Sequence, residues 1–195
     1  YNLRNREIFL SDNSEGMIDE IRQKLGNDYN YIVADCQSIP FKNNYFDTIV
    51  ANHMLFYLKD LKQGLTEITR VLKNNGTFYC TTYSKYHMQE ISELAQNFDS
   101  RISLSDDPLP ERFGLENGKD ILKSYFNYVE LKKYEDYLLI TEAQPLIDYI
   151  LSCHGNQNEY LGNRLKEFKI YIEDLIKESQ GIKITKDSGL FICTK

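Results

Sequence analysis

The sequence is poor in features that mark several large classes of protein. Only four prolines and ten glycines occur among 195 residues, while 42% are apolar and 27% charged. This balance argues against collagen-like repeats, linker-rich architecture and intrinsic disorder. No apolar stretch approaches the roughly 20 residues that cross a bilayer, and nothing near Tyr1 resembles a secretory signal. We therefore expect a folded, cytoplasmic chain with no membrane partner.

Clustered positive charge and paired cysteines are also missing. The 23 Lys and Arg residues face 29 Asp and Glu residues, and no basic run exceeds Lys132-Lys133. Because binding to a nucleic-acid backbone needs clustered cations, no nucleic-acid partner is expected. The four cysteines, namely Cys36, Cys80, Cys153 and Cys193, form no C-x-x-C motif and have no histidine at metal-ligand spacing. The sequence thus predicts reduced thiols and no metal site.

The first half of the chain alternates between strand and helix patterns. Strands are predicted over residues 7–10, 31–34, 46–51 and 77–82, and helices over 16–25 and from residue 61 to a stop at Asn75-Gly76. Apolar residues recur at helical spacing in both helices, and β-branched residues favour the third strand. This order predicts an α/β fold with a parallel sheet covered by helices.

The second half is less regular. It predicts helices over 86–98, 117–126, 145–153 and 159–179, and a loop with two prolines over 103–114. A long strand is predicted over 128–141. Residues 182–185 and 190–193, joined around Asp187-Ser188-Gly189, form either a terminal strand or a hairpin.

Four sequence blocks, LSDNSEGM (10–17), VADCQSIPF (33–41), FDTIV (46–50) and EITRVLKNNG (67–76), occur in this order. Together they resemble the class I S-adenosylmethionine-dependent methyltransferases, in the branch that acts on small molecules and quinone precursors. The resemblance implies a Rossmann-like, mostly parallel sheet that ends in an antiparallel strand pair, near 128–141 and 182–194. It also implies one domain over 1–195, with a cofactor-binding half (1–84), a cover over the acceptor (85–127) and C-terminal strands and helices (128–195).

The resemblance assigns roles in binding S-adenosylmethionine. Asp12, after the first predicted strand, would accept hydrogen bonds from the ribose hydroxyls, although Asp also suits a helix cap. Asp35 would take the adenine amine, unless it is only a turn residue, and Cys36 would contribute its main-chain N–H. Asn13 and Met17 would line the adenine pocket, although the family more often has an apolar residue at the position of Asn13.

The acceptor side is expected just beyond the third predicted strand. Asn52 and His53 would face the methionine part of the cofactor and the methyl acceptor, and His53 is the candidate general base. Tyr57 and Tyr83 are candidate substrate-binding residues. His87 and His154 are lone histidines with no ligand partners nearby, and no role is expected for them.

One departure from the family concerns its glycine-rich G-x-G turn. No two glycines lie nearer to each other than Gly114 and Gly118. Without the family's first strand, the strands that start at Glu7 and Phe46 would flank an empty position in the sheet, with unpaired backbone groups. We therefore expect the native protein to have a further N-terminal segment, without which the cofactor would bind poorly.

Three functions follow from these patterns. The leading hypothesis is transfer of a methyl group to a small-molecule acceptor. The alternative is a non-catalytic methyltransferase-like domain that binds a protein partner; the third, a nicotinamide-dependent enzyme, also needs the G-x-G turn. Packing of the apolar face of helix 159–179 on a second copy would give a homodimer. Richness in Asn, Lys, Ile and Tyr suggests a bacterial source with an A+T-rich genome.

Overall fold

A computed structural model describes residues 7–105, 107 and 109–195. The strands are β1 (Phe9–Asp12), β2 (Asn30–Val33), β3 (Phe46–Asn52), β4 (Leu72–Tyr83), β5 (Tyr128–Ile140) and β6 (Ile182–Thr194). The helices are α1 (Glu15–Leu25), α2 (Leu61–Val71), α3 (Gln89–Phe98), α4 (Leu109–Arg112), α5 (Gly118–Lys123), α6 (Ala143–Ser152), α7 (Gln157–Leu161) and α8 (Leu165–Ser179). Single 3₁₀ turns lie at Leu55–Tyr57 and Gly162–Arg164.

The strands form two sheets. β1 and β2 pair in parallel, while the second sheet has the order β3-β4-β6-β5. β3 and β4 are parallel, and β6 is antiparallel to both of its neighbours, β4 and β5. The predicted α/β fold with a C-terminal antiparallel pair is therefore confirmed.

No ladder joins β1 to β3 in the described part of the chain. The ring of Phe9 on β1 instead lies 5.7 Å from that of Phe46 on β3, and 5.0 Å from Phe41 in the intervening loop. Side-chain packing thus links the two sheets where the sequence predicts an unfilled strand position.

The larger sheet carries the main hydrophobic core. Phe78 and Cys80 on β4 alternate with outward-facing neighbours, and they pair with Cys193 and Phe191 on β6. All four side chains are fully buried and pack against α2 and α5. Burial raises the pKa of both thiols, and all four cysteines are free, as predicted.

A second core lies where α3, α6 and α8 meet the N-terminal part of β6, around Phe168, Ile172 and Ile184. The predicted cover segment, 85–127, contributes to both cores, through Ile91 and Leu94 to the second and Phe113 to the first. In the described residues, no helix is long and apolar enough to span a membrane. The same residues contain no group of three or more His, Cys, Asp or Glu side chains that could hold a metal ion.

Several predicted boundaries are wrong. Helix 159–179 is two helices, α7 and α8, because Gly162 and Asn163 are weak helix formers and occupy a 3₁₀ turn. The predicted loop 103–114 contains the short helix α4. α2 ends at Val71 rather than at Asn75-Gly76, because the chain enters β4 directly at Leu72.

The open choice between a terminal strand and a hairpin is resolved as one continuous strand. Gly189 pairs with Thr82 on β4 and Lys133 on β5, so strands on both sides hold the segment extended. A Cβ at Gly189 would lie 2.9 Å from Leu115 and 3.0 Å from Leu131. The glycine therefore allows close packing and does not make a turn.

Candidate functional site

Two carboxylates lie at the carboxyl ends of neighbouring strands. Asp12 closes β1 and pairs with Val33, the last residue of β2, and the N–H of Ala34 donates to the Asp12 carbonyl at 2.9 Å. Asp35 follows two residues beyond Val33. The structure thus brings together the two acids predicted to bind the nucleoside, since parallel strands end at one edge of a sheet.

Asp12 is not the cap of α1. The N-cap is Ser14, whose Oγ accepts from the N–H of Met17 at 3.4 Å. Asp12 accepts one hydrogen bond at Oδ1, from the N–H of Ser14 at 2.8 Å. Met17 and Asn13 are exposed beside it, with Met17 46% exposed. The end of β1 and the first turn of α1 therefore offer an acid, Asp12, and an apolar side chain, Met17, close together in the chain.

Asp35 organises the loop that follows β2. Its Oδ1 accepts from the N–H of Gln37 at 2.8 Å, and the Gln37 side-chain amide lies 3.3 and 3.2 Å from its two oxygens. This is the local turn geometry, so any ligand contact by Asp35 would compete with Gln37. Burial, assisted by Asp35 and Glu67, raises the pKa of the Cys36 thiol to about 11, which keeps it protonated and unreactive.

Two residues of α2 hold the same loop in place. Glu67 accepts from the N–H of Ile39 at 2.9 Å, and Arg70 donates to the carbonyls of Ile39 at 2.8 Å and Phe41 at 2.7 Å. Arg70 also binds Glu67 at 2.7 Å, and this hydrogen bond lowers the pKa of Glu67. Sequence reasoning did not assign either residue a role, although both lie in the block EITRVLKNNG at helical i, i+3 spacing.

Arg70→Met should destabilise the protein by about 2 kcal/mol, because partly buried carbonyls and the Glu67 carboxylate lose charge-assisted donors. Lys62→Met is the matched control, since Lys62 is exposed on the same helix. Urea unfolding of both variants checks the difference. Equal midpoints for the two would show that Arg70 does not hold the loop.

The carboxyl ends of β3 and β4 form a second part of the site. Asn52 ends β3, and His53 follows with φ of 48°, in the left-handed region that non-glycine residues rarely adopt. Thr81 on β4 holds this conformation: the N–H of His53 donates to the Thr81 carbonyl at 3.2 Å and lies 3.1 Å from its hydroxyl. The Thr81 hydroxyl also donates to Asn52 at 3.4 Å.

An aromatic cluster, defined here as His53, Phe56, Tyr57, Tyr83 and His87, surrounds that strand end. The Tyr83 ring is near-parallel to His53 at 6.1 Å and lies 5.3 Å from His87 and 5.1 Å from Phe56. Phe56 in turn contacts the ring of Tyr57 at 4.7 Å. The structure brings together the three predicted residues and adds Phe56 and His87, for which no role was expected from the sequence.

Both imidazoles and the Tyr83 hydroxyl in the aromatic cluster have pKa values shifted toward their neutral forms. Burial lowers the pKa of His53 and of His87, and Lys186 lowers that of His87 further. Burial, with the nearby Tyr57, raises the pKa of Tyr83. A neutral imidazole is the form that accepts a proton, so His53 is available as a base near neutral pH.

The lowered pKa of His53 predicts a pH-dependent stability. Below its ordinary value of 6.5, the unfolded chain binds a proton that the folded chain resists, so stability falls as the pH decreases. His53→Gln should reduce the loss of stability between about pH 7.5 and about pH 5. Urea midpoints at both pH values check this, and an unchanged pH dependence in the variant would contradict it. His154→Gln is the control.

The two parts of the site are tied together through the loop after β2. Gln37 accepts from the N–H of Asp60, the N-cap of α2, at 2.6 Å, and the Gln63 side chain donates to its carbonyl at 3.2 Å. α2 follows the aromatic cluster directly in the chain, so this loop fixes the strand ends predicted to bind the nucleoside relative to those predicted to bind the acceptor. No described contact joins Asp12 itself to the aromatic cluster.

The chain is similar in sequence and in fold to known methyltransferases. Residues 2–80 match the family described as "Methyltransferase domain". The chain has a Rossmann-like methyltransferase fold. A structure of the YcgJ protein from Bacillus subtilis covers 97% of this chain and 82% of its own, with a TM-score of 0.61 and 16% identity. The predicted resemblance to methyltransferases is thereby confirmed over residues 2–80.

Two curated methyltransferases are similar in sequence. Malonyl-[acyl-carrier protein] O-methyltransferase of Chlorobium luteolum is 25% identical over 160 residues, which are 80% of this chain and 57% of that protein. Ubiquinone/menaquinone biosynthesis C-methyltransferase UbiE of Erwinia tasmaniensis is 30% identical over 101 residues, 49% of this chain and 40% of that protein. The chain thus spans about half the length of these relatives.

Proposed function

We propose that the protein transfers the methyl group of S-adenosylmethionine to a small-molecule acceptor. The observation that carries this proposal is the placement of Asp12, Asp35 and His53 after successive strands of a methyltransferase fold. Ligands of open α/β sheets bind beyond the carboxyl ends of the strands. The similarity to a malonyl-[acyl-carrier protein] O-methyltransferase and to a C-methyltransferase of ubiquinone/menaquinone biosynthesis supports a small acceptor group.

The described residues fit the nucleoside part of the cofactor. Asp12 keeps a carboxylate oxygen that accepts no other described hydrogen bond, which suits a ribose hydroxyl. The exposed side chain of Met17 provides an apolar surface for adenine. Asp35 and the main chain of Cys36 would read the adenine edge, with Asn13 beside it and Asn52 at the methionine end.

In this mechanism the protein forms no covalent bond with the reactants, and its residues position them and accept a proton. When bound, S-adenosylmethionine would supply an electrophilic methyl group, with its sulfide as the leaving group. Asp12 and Asp35 hold the nucleoside in place, and the aromatic cluster excludes water and orients the acceptor. His53 accepts the acceptor proton at its imidazole where the nucleophile must lose one.

We assign the acceptor surface to Tyr57 and Tyr83, with segment 85–127 as its cover within a single domain over 1–195. Tyr57 is 65% exposed, while Tyr83 is half-buried against two imidazoles. An accessible ring beside a packed one suits a planar or unsaturated acceptor. We further propose that the protein acts in the cytoplasm of a bacterium, since the relatives named above are bacterial proteins, and that it assembles as a homodimer.

Radiolabelled methyl transfer tests the proposal. The full gene product is incubated with methyl-labelled S-adenosylmethionine and a small-molecule extract of bacterial cells, and the label is followed into the extract. Transfer that is lost in His53→Ala and in Asp12→Asn supports the proposed roles. Tight binding of S-adenosylhomocysteine with no transfer to any fraction would instead favour the alternative, a non-catalytic domain that binds a protein partner.

A further inference from the structure

β5 is a long edge strand whose outer side is unpaired among the described residues. Its 13 residues all pair with β6 on the inner side. The eight consecutive residues 132–139 are exposed, so neither face of this stretch is covered by a helix. They include large apolar side chains, with Tyr134 64%, Tyr137 56% and Leu139 55% exposed. Such an edge is a template for pairing with another strand.

The backbone indicates which residues would form the new ladder. The N–H of Tyr137 donates to its neighbour's side chain, Asp136 Oδ1, at 2.8 Å, which marks Tyr137 as a residue whose N–H faces outward. Backbone N–H and C=O groups that point away from β6 recur at every second residue of β5. They therefore belong to its odd-numbered positions. In an antiparallel pair, residues with outward groups face one another, which permits only registers that pair odd positions with odd positions.

Charge selects one of these registers and one partner. We propose that β5 pairs antiparallel with β5 of a second copy, about a twofold axis at Tyr134. Lys132 then lies opposite Asp136 of the second copy, and Lys133 opposite Glu135. Each pair occurs twice, giving four opposite-charge cross-strand pairs. The occupant of this edge is thus the chain itself.

The neighbouring registers are unfavourable. An axis at Lys133 places that lysine opposite its own copy and Glu130 opposite Asp136, while an axis at Glu135 places that glutamate opposite its own copy. Parallel, in-register pairing would put every charge opposite the same charge. Charges on facing β5 strands therefore attract in the register centred on Tyr134 and repel in each of these three alternatives. This difference makes the pairing specific.

Contacts within the chain do not already satisfy these charges. Lys132 lies 3.9 Å from Glu130, Lys186 lies 3.7 Å from Asp136, and Lys133 lies 4.0 Å from Asp187. These ion pairs are long, and the side chains of Lys132 and Lys133 are 60% and 52% exposed, respectively. Exposed pairs of this kind contribute little, so they do not oppose pairing strongly. Next to the charges, Leu139 of one copy would face Val129 of the other and bury exposed apolar surface.

Sedimentation of paired charge-reversal variants tests the proposal. The wild-type chain should sediment at twice the monomer mass, whereas Lys132→Glu/Lys133→Glu and Glu135→Lys/Asp136→Lys should each be monomeric, because like charges then face each other. An equimolar mixture of the two variants should form a heterodimer, because every facing pair is again opposite in charge. Rescue on mixing excludes misfolding as the cause of monomer formation.

A monomeric wild-type chain at about 100 µM would overturn the proposal. So would dimers that persist in both variants, which would place the interface elsewhere, for example on the exposed α8 residues Leu165 and Ile170. Both outcomes are independent of methyl transfer, so they leave the proposed function untouched.

Cysteine cross-linking tests the register. Residues at the twofold axis form a non-hydrogen-bonded pair about 4.5 Å apart between Cα atoms, which a disulfide can span. Tyr134→Cys should therefore cross-link under mild oxidation. Tyr128→Cys, another exposed tyrosine of β5, should not, because its copies would lie about 40 Å apart. Cross-linking of both variants to the same extent would indicate parallel pairing or random collision and overturn the register.

Discussion

Asp12→Asn should weaken the binding of S-adenosylhomocysteine about 30-fold, equivalent to about 2 kcal/mol for hydrogen bonds to a charged group. The amide oxygen of the variant can still accept from the N–H of Ser14, so the local structure of the strand end is kept. What the variant loses is the negative charge and an acceptor for the ribose hydroxyls. Calorimetric titration of the full gene product measures the effect.

Asp19→Asn is the matched control for this prediction. Asp19 is an exposed acid on α1, the helix that follows Asp12 in the chain, and it contacts Arg22 at 3.3 Å. Its loss should leave affinity unchanged, because it lies away from the strand ends. Equal affinities for Asp12→Asn and Asp19→Asn would show that Asp12 does not hold the nucleoside.

Gly155→Ala should destabilise the fold by at least about 2 kcal/mol and lower the melting temperature by about 6 °C. A Cβ at this position would lie 1.9 Å from the Ser103 carbonyl oxygen and 2.7 Å from the Leu104 carbonyl carbon, which are backbone atoms. The neighbouring Asn156 donates from its N–H to that same oxygen at 2.9 Å and accepts from the N–H of Ser103 at 2.7 Å. The added methyl group would therefore separate two hydrogen-bonded segments.

Gly162→Ala is the control for this substitution. Among the described residues, no atom outside its own helical turn and chain neighbours lies within 4 Å of a Cβ at Gly162, and its φ of −46° is helical. Alanine there should be neutral or stabilise the protein by about 0.5 kcal/mol. Thermal unfolding followed by circular dichroism compares the two, and similar melting temperatures would contradict the close approach at Gly155.

The strands and helices that position the cofactor residues follow from local patterns. The apolar runs and turn residues predict β1 to β4 and α1 and α2 in their correct order, because each element has its own periodicity and its own stop signals. The unpaired position between β1 and β3 also follows from the missing glycine-rich turn. Boundaries shift by a few residues, as at the junction of α2 and β4, because sheet pairing overrides local propensity.

Contacts across an irregular turn and contacts between distant segments were not predictable from spacing. His87 and Tyr83 meet across a turn that follows β4, and Arg70 binds carbonyls 29 and 31 residues earlier in the chain. Gly189 resembles a turn signal until its two neighbouring strands are known. The charge pattern of β5 is visible in the sequence, but its role in strand pairing can be inferred only once β5 is known to be an exposed edge strand.

Titration of S-adenosylhomocysteine into the full gene product tests most directly the claim that these strand ends form a cofactor site. We predict saturable binding at one site per chain, with the affinity lowered in Asp12→Asn and unchanged in Asp19→Asn. Absence of binding by the correctly folded full gene product would contradict the account and favour a domain that binds a protein partner instead.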